Sequence, residues 1–239
     1  MILYGRNPVM EALRGRRARA VGEVWATARA AREPWLAGVA VRTSTAEEIE
    51  RRCGSSAHQG LCAEAGAYHY VGVDELLARE DPLLVALDQI QDPQNLGAIC
   101  RTAECVGAAG VVIPERRAAE VTPAVCKASA GAVEHLAITR VRNIADFLAE
   151  ARRAGCWCYG ASGGEHGGRS PVPYDAPDYA GAGAVLVLGS EGSGLRPRVA
   201  AACDELIALP LRGRVSSLGV SAAAAAILYE MLQKRGGGS

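Results

Sequence analysis

The chain lacks an excess of either charge. Its 26 Lys plus Arg balance 26 Asp plus Glu, so no global field drives the whole molecule onto a nucleic acid or a membrane, and any polyanion site must be local. Lysine is nearly missing: Lys127 and Lys234 stand against 24 Arg, a bias that guanidinium forks for phosphate or a GC-rich genome would equally produce. No segment approaches the ~18 apolar residues of a membrane span. The opening Met1-Ile2-Leu3-Tyr4-Gly5-Arg6 lacks the charged lead and apolar run of a signal peptide, so a cytoplasmic location is expected. Cys-x-x-Cys is absent as well. Cys53, Cys62, Cys100, Cys105, Cys126, Cys156, Cys158 and Cys203 are scattered among apolar or small neighbours, which points to free, mostly buried thiols. Cys156-x-Cys158 with His166 lacks a fourth ligand, and the alternation along Cys156-Trp157-Cys158-Tyr159 is that of a half-buried strand, so no metal is expected.

What is present is apolar material, 49% of 239 residues, enough for one large core or two smaller ones. Residues 1–69 hold ten Arg against seven acids, a net +3, while residues 70–239 carry net −3, so the front end is the better candidate for touching phosphate. That front module reads as a small α/β unit. Asn7 caps a helix ahead of Pro8 to Leu13, apolar runs stand at Val21 to Trp25 and Val39 to Val41, and Ser44 caps a helix reaching Arg52. After Leu61-Cys62-Ala63 the polar stretch 70–81 is expected to be a linker, with a brief helix at Val73 to Arg79.

From residue 82 to 235 apolar strands alternate with helices. Strands are expected at Leu83 to Leu87, Gly110 to Ile113, Ala137 to Val141, Cys156 to Ala161, Ala184 to Leu188 and Leu206 to Leu209. Helices are expected at Asn95 to Val106, Pro123 to Ala130, Ile144 to Ala154, Leu195 to Ala202 and Ser221 to Leu232. Ser162 to Ala182 reads as a Gly/Pro-rich loop, and 236–239 as a flexible tail. Continuous apolar strands separated by helices predict a mostly parallel sheet covered on both faces, with ligands at the carboxyl ends of its strands.

Three loops at such ends carry chemistry. In Asp92-Pro93-Gln94-Asn95-Leu96-Gly97-Ala98-Ile99-Cys100-Arg101, Asn95 is expected to open a helix. Arg101 lies among Ile99, Cys100, Ala103 and Cys105, where an unpaired guanidinium is costly, so it is expected to face a partner or ligand. In Gly189-Ser190-Glu191-Gly192-Ser193-Gly194, three glycines let a ligand lie against the main chain beside one acid. The pattern is neither Gly-x-Gly-x-x-Gly nor Gly-x4-Gly-Lys-Ser/Thr, which removes the support for a dinucleotide-dependent oxidoreductase or a triphosphate cradle. In Leu209-Pro210-Leu211-Arg212-Gly213-Arg214-Val215-Ser216-Ser217-Leu218-Gly219-Val220-Ser221, Ser221 suits the cap of an alanine-rich helix, which leaves Ser217 and both arginines unexplained.

Together these segments resemble the three motifs of the SpoU/TrmH branch of the SPOUT RNA methyltransferases: Asp-Pro-x-Asn-x-Gly-x-x-x-Arg, Gly-x-Glu-Gly-x-Gly and Pro-x-x-Gly-x-x-x-Ser-Leu, in family order. Tyr4-Gly5-Arg6-Asn7-Pro8-Val9, His58-Gln59-Gly60 and Cys203-Asp204-Glu205-Leu206 are similar to members that methylate a guanosine ribose in large-subunit (23S) ribosomal RNA. The resemblance implies a parallel sheet whose C-terminal segment threads a trefoil knot, S-adenosylmethionine bound in the knot, a homodimer, and an RNA-binding module over 1–69. It implies cofactor contacts at Gly189, Leu209 and Leu218, and a catalytic set of Asn95, Arg101, Glu191 and Ser217. RNA contacts are expected from Arg6 and from the cluster Arg14, Arg16, Arg17 and Arg19. One position departs: where members read Ser-Leu-Asn-Val-Ser, Gly219 replaces the amide. That departure motivates the alternative of a non-catalytic RNA-binding relative. For the mechanism, a guanidinium rarely yields its proton, so Arg101 is expected to clamp the target phosphate and partner the developing alkoxide, with the proton leaving to water or through Glu191 and Ser217.

Overall fold

The computed structural model describes residues 1–215 and 217–236. The front lobe runs β1 (Ile2–Tyr4), α1 (Arg6–Arg14), β2 (Val21–Ala26), β3 (Val41–Thr43), α2 (Ala46–Cys53) and β4 (Leu61–Ala65). Its sheet has the order β1-β4-β2-β3, with β2 and β3 parallel and the other pairs antiparallel. Two helix starts differ from expectation. α1 opens at Arg6 behind Gly5, whose φ of 92° turns the chain sharply off β1, so Asn7 lies inside the first turn and is not the cap. α2 opens behind Thr45, because Thr45 and Glu48 satisfy each other's backbone N–H groups in a capping box that Ser44 cannot form.

The second lobe continues with α3 (Val73–Leu77), β5 (Leu83–Asp88), α4 (Pro93–Cys105), β6 (Gly110–Pro114), α5 (Pro123–Ala128), β7 (Ile138–Val141), α6 (Ile144–Arg153), β8 (Trp157–Ala161), β9 (Val172–Pro173), β10 (Ala184–Gly189), α7 (Pro197–Ala202), β11 (Glu205–Ala208) and α8 (Val220–Gly236). Seven strands in the order β7-β6-β5-β10-β8-β11-β9 pair in parallel throughout. Alternation along β5 and β10 explains the two layers. Val85, Leu87, Leu186 and Leu188 pack with α4, α5 and α8, whereas Leu84, Ala86, Val185 and Val187 pack with α6 and α7. The parallel sheet covered on both faces is therefore as the sequence predicts.

Three boundaries differ for local reasons. α4 begins at Pro93, because Asp92 accepts from Gln94 N–H at 3.0 Å and proline suits the first helical position; Asn95 is thereby released from capping. α8 begins at Val220, one residue ahead of the expected Ser221 cap, and it runs through Gly236; the rest of the expected tail, 237–239, lies outside the described residues. Within the expected loop 162–182, Val172–Pro173 adds a short edge strand beside β11, where a missing N–H costs little.

Segment 70–81 is no free linker. Val71 bridges Thr139 in parallel, its N–H donating to Ile138 O at 2.9 Å, and Leu76 is fully buried in the core on the α6 side of the sheet. The two lobes also share one apolar cluster, with Leu3, Val9 and Ala12 packed together with Val125, Cys126 and Val133. Across this seam Tyr68 Oη donates to Leu136 O at 2.9 Å, and His135 meets Glu11 at 2.7 Å. Arg17 fills its centre. It is 5% exposed and donates through Nε to Glu134 at 2.9 Å and through Nη1 to Gly66 O at 3.1 Å, with a second bond from Nη2 to Glu134. Burial works against the Arg17 charge, and the hydrogen bonds and charge of Glu134 outweigh it, so its pKa is raised. Arg17 is thus withdrawn from the expected RNA-contact cluster: a side chain consumed by a buried carboxylate has nothing to offer a phosphate. Arg14 and Arg19 are exposed, while Arg16 and Arg6 reach Glu75 and Glu33 at 3.3 and 2.9 Å on the surface, pairs weak enough to exchange for phosphate.

All eight cysteines are free, six of them buried. Burial pushes the thiols of Cys100, Cys126 and Cys203 up to about 12, which keeps them protonated and inert.

Candidate active site

Asp88 and Gly189 end adjacent strands in register, and the chain between Gly189 and α7 must turn within a few residues. It does so because Ser190 and Gly194 close on each other, with N–H to O distances of 3.2 and 2.9 Å, and Gly192 and Gly194 take φ of +87° and +64°. Gly189 sits so close to this turn that a Cβ there would lie 2.2 Å from the carbonyl carbon of Gly194. The far end of the turn is pinned by Asp88. Its buried carboxylate accepts from Arg196 backbone N–H at 3.0 Å and from Arg196 Nε at 2.8 Å. Sequence reading did not single out this clamp; its one signal was an acid closing the otherwise apolar run Leu83 to Leu87.

The turn presents Glu191 outward, where Asn95 Nδ2, released from capping, donates to its Oε1 at 3.2 Å. Gly219 lies on the other side, with a φ of +85° and a notional Cβ 3.8 Å from the same Oε1, and Ser217 Oγ accepts from Gly219 N–H at 3.2 Å. Of the four expected catalytic residues, Asn95 bonds the Glu191 carboxylate directly, and Ser217 lines the same cavity as Glu191, bonded to Gly219.

Arg101 is not in this group. Six residues after Asn95, about 9 Å of helical rise, it stands exposed on α4 and makes no ion pair among the described residues. The apolar neighbours that made an unpaired guanidinium look costly, Ile99, Cys100 and Ala103, turn into the core on the opposite face.

Two cavities meet at Glu191. One, of about 300 Å³, holds all three expected cofactor-contact residues, Gly189, Leu209 and Leu218, over a floor of Ile207, Ala223 and Ile227. Leu211 and Leu218, on the loop beside it, are half exposed, a hydrophobic rim that a ligand would cover. The other, of about 360 Å³, is the more polar of the two, with Gln89, Gln91, Asp92, Asn95, Ser190 and Ser193 in its lining beside Ile90 and Val220. Glu191 lines both. The pair of cavities suits a transfer between a ligand whose flat apolar part rests on that floor against main chain and a second, polar acceptor, with a carboxylate at the junction. Among the described residues no cluster of His, Cys, Asp and Glu could hold a metal ion, and no helix is long and apolar enough to cross a membrane.

Residues 82–229 match the model of the SpoU rRNA methylase family, and residues 2–71 match that of the RNA 2′-O ribose methyltransferase substrate-binding domain. A TrmH-family tRNA/rRNA methyltransferase of Bacillus subtilis is 42% identical over 183 residues, covering 74% of this chain and 71% of that protein. A tRNA/rRNA methyltransferase of Synechocystis is 35% identical over 98% of this chain, which spans 63% of that relative's length. The solved structure of an AdoMet-bound rRNA methyltransferase from Sinorhizobium meliloti superposes with a TM-score of 0.78 at 26% identity, covering 96% of this chain and 85% of that one. With both lobes matched and the three motif loops gathered at the strand ends, the chain belongs to the SpoU rRNA methylase family.

Proposed function

We propose that the protein transfers a methyl group from S-adenosylmethionine to the ribose 2′-hydroxyl of a guanosine in 23S ribosomal RNA, acting as a homodimer. The observation that carries this reading is the junction of an apolar, glycine-cradled cavity with a polar one at the Asn95–Glu191 hydrogen bond. The first cavity fits the cofactor. Its volume is within the range of ligand sites, its apolar floor suits an adenine ring, and the missing Cβ at Gly189 leaves bare main chain against the pocket. Gly189, Leu209 and Leu218 would hold the cofactor, which supplies a methyl group on an electrophilic sulfonium.

The chain's own residues do the rest. Asn95 occupies Glu191 Oε1 and so orients the carboxylate, leaving Oε2 to accept the proton of a ribose hydroxyl seated in the polar cavity. Ser217 steadies the neighbouring loop through Gly219 N–H. Arg101, exposed on the same helix as Asn95 and outside both cavities, clamps the phosphate of the target nucleotide and so holds its ribose in place for transfer. Holding the acceptor in line contributes several kcal/mol to lowering the barrier. Tyr229 and Leu232, large apolar side chains exposed on α8, offer a face for the second copy.

Nucleoside mass spectrometry after incubation with labelled S-adenosylmethionine and either a 23S rRNA transcript or a pool of tRNA transcripts tests the reading. Labelled 2′-O-methylguanosine in 23S rRNA is expected. Label in tRNA or on another nucleoside reassigns the substrate, and tight cofactor binding with no label in either RNA favours the non-catalytic relative.

Gly189→Ala is expected to weaken S-adenosylmethionine binding more than tenfold by calorimetry, because the added Cβ forces the Ser190–Gly194 turn open and the cavity wall moves with it. Gly219→Asn works in the opposite direction. The position points at Glu191, so an asparagine there adds a donor beside the carboxylate and is expected to raise single-turnover rates by up to about a hundredfold. Its φ of +85° charges a non-glycine residue about 1 kcal/mol of stability, the least for asparagine. A slower variant would mean that this site has been rebuilt around glycine.

A further inference from the structure

Two stretches that stand out in the sequence, Tyr4-Gly5-Arg6-Asn7 and His58-Gln59-Gly60, have no part in the transfer site, yet the fold brings them together around Lys127. Gln59 takes a left-handed backbone, φ 55°, which turns its amide across the seam between the lobes. Its Oε1 accepts from Arg6 N–H at 3.1 Å and from Lys127 Nζ at 2.9 Å. The ammonium of Lys127 rests against Gly5, where a Cβ would lie 2.4 Å from Nζ, and 6.0 Å from the centre of the Tyr4 ring. The backbone of Gly5 is thus shaped to let this lysine through.

Lys127 is one of two lysines among 26 basic residues, and it is not placed as a stability device would be. Its partner is a neutral amide, and no carboxylate lies within ion-pair distance of it among the described residues. Its surroundings are half-buried, and that burial lowers its pKa, so the position holds a cation at a cost. Further arginines lie on the segments bonded to Gln59 and Gly60. Arg6 is exposed with one surface acid, Glu33, at 2.9 Å, and exposed Arg29 and Arg32 stand on the turn whose Thr27 N–H donates to Gly60 O at 2.9 Å. The seam also continues toward the transfer site. Ala128, the neighbour of Lys127, packs on Gly97, two residues from Asn95, so closely that a Cβ on Gly97 would lie 2.4 Å from it.

We propose that Lys127, Gln59 and Arg6 form a phosphate subsite at the seam of the two lobes, which grips the RNA backbone between the front lobe and the transfer site. It rests on the reading of the protein as an RNA methyltransferase. Lys127 and Arg6 supply charge, and the Gln59 amide, its oxygen already used, turns its Nε2 donors to the phosphate oxygens. By joining both lobes the subsite sets the distance between the RNA held by residues 1–71 and the ribose presented at Glu191.

The test is fluorescence anisotropy of Lys127→Met, Lys127→Arg and Gln59→Leu with a 23S rRNA transcript and a tRNA transcript pool over a salt series, together with S-adenosylmethionine calorimetry and thermal melting. For Lys127→Met the expected results are RNA affinity about tenfold lower at low salt, a log–log salt slope shallower by about one phosphate contact, and unchanged cofactor affinity. Lys127→Arg keeps the slope. Gln59→Leu lowers affinity a fewfold with the slope intact. An unchanged slope in Lys127→Met overturns the subsite, and if its melting temperature falls as well, Lys127 is a latch between the lobes. Wild-type protein that binds neither RNA overturns the subsite and the RNA reading together.

Discussion

Arg101→Ala slows methyl transfer about a thousandfold in single-turnover kinetics, while the melting temperature and the affinity for S-adenosylmethionine stay at wild-type values. The separation follows from where the side chain stands. It is exposed on α4, makes no ion pair among the described residues, and lines neither cavity, so truncating it disturbs neither the core nor the cofactor pocket. Its proposed work lies entirely with the RNA, as a clamp on the target phosphate that holds the ribose for transfer. Lys at this position keeps the charge and loses the fork, so Arg101→Lys recovers only part of the rate. A variant that transfers at full rate, or that unfolds, shows that Arg101 has another role.

Arg17→Met costs about 3–5 kcal/mol of stability, read from the urea midpoint at constant slope, because it strands a buried charge. Glu134 is 1% exposed and its carboxylate meets the Arg17 guanidinium through two bonds, so without that partner it must either ionise in apolar surroundings or take up a proton. Replacing both partners, as in Arg17→Met with Glu134→Leu, restores most of the loss, since the desolvation penalty leaves with the pair. A loss below about 1 kcal/mol in the single variant would mean that water reaches Glu134. Under conditions where Arg17→Met remains folded, its RNA salt slope matches wild type, whereas neutralising Arg14, Arg16 and Arg19 together flattens it. The same seam explains why removing residues 1–69 is no clean probe of RNA binding: it uncovers the face of α5 and leaves Glu134 unpaired.

The second lobe was legible in the sequence because its signals are local. Val85 and Leu87 face one layer while Leu84 and Ala86 face the other, and a run buried on both sides must be apolar at every position. Glycine spacing announced the turn after β10, since positive φ at Gly192 and Gly194 is a property of single residues. Helix starts were harder. Asp92, Thr45 and the positive-φ Gly5 each displaced the cap expected at a neighbouring residue, because competing cap residues within three positions are separated only by the geometry that the preceding strand imposes.

By itself the sequence determined the strand and helix alternation, the three loops at strand ends, the glycine cradle and the family to which those motifs belong. The tertiary structure decided which residues meet. Asn95 finds Glu191 across 96 residues, Asp88 finds Arg196 across 108, and Arg17 leaves an arginine cluster on the surface to bury itself against Glu134 across 117. It also turned Arg101 to solvent, although its neighbours in sequence are core residues. The reason is physical. Periodicity and turn chemistry depend on neighbours a few positions away, whereas the partner of a polar or charged group depends on which distant segment is packed against it, and that is decided only when the parallel sheet assembles and, for Arg17, when the two lobes close on one another.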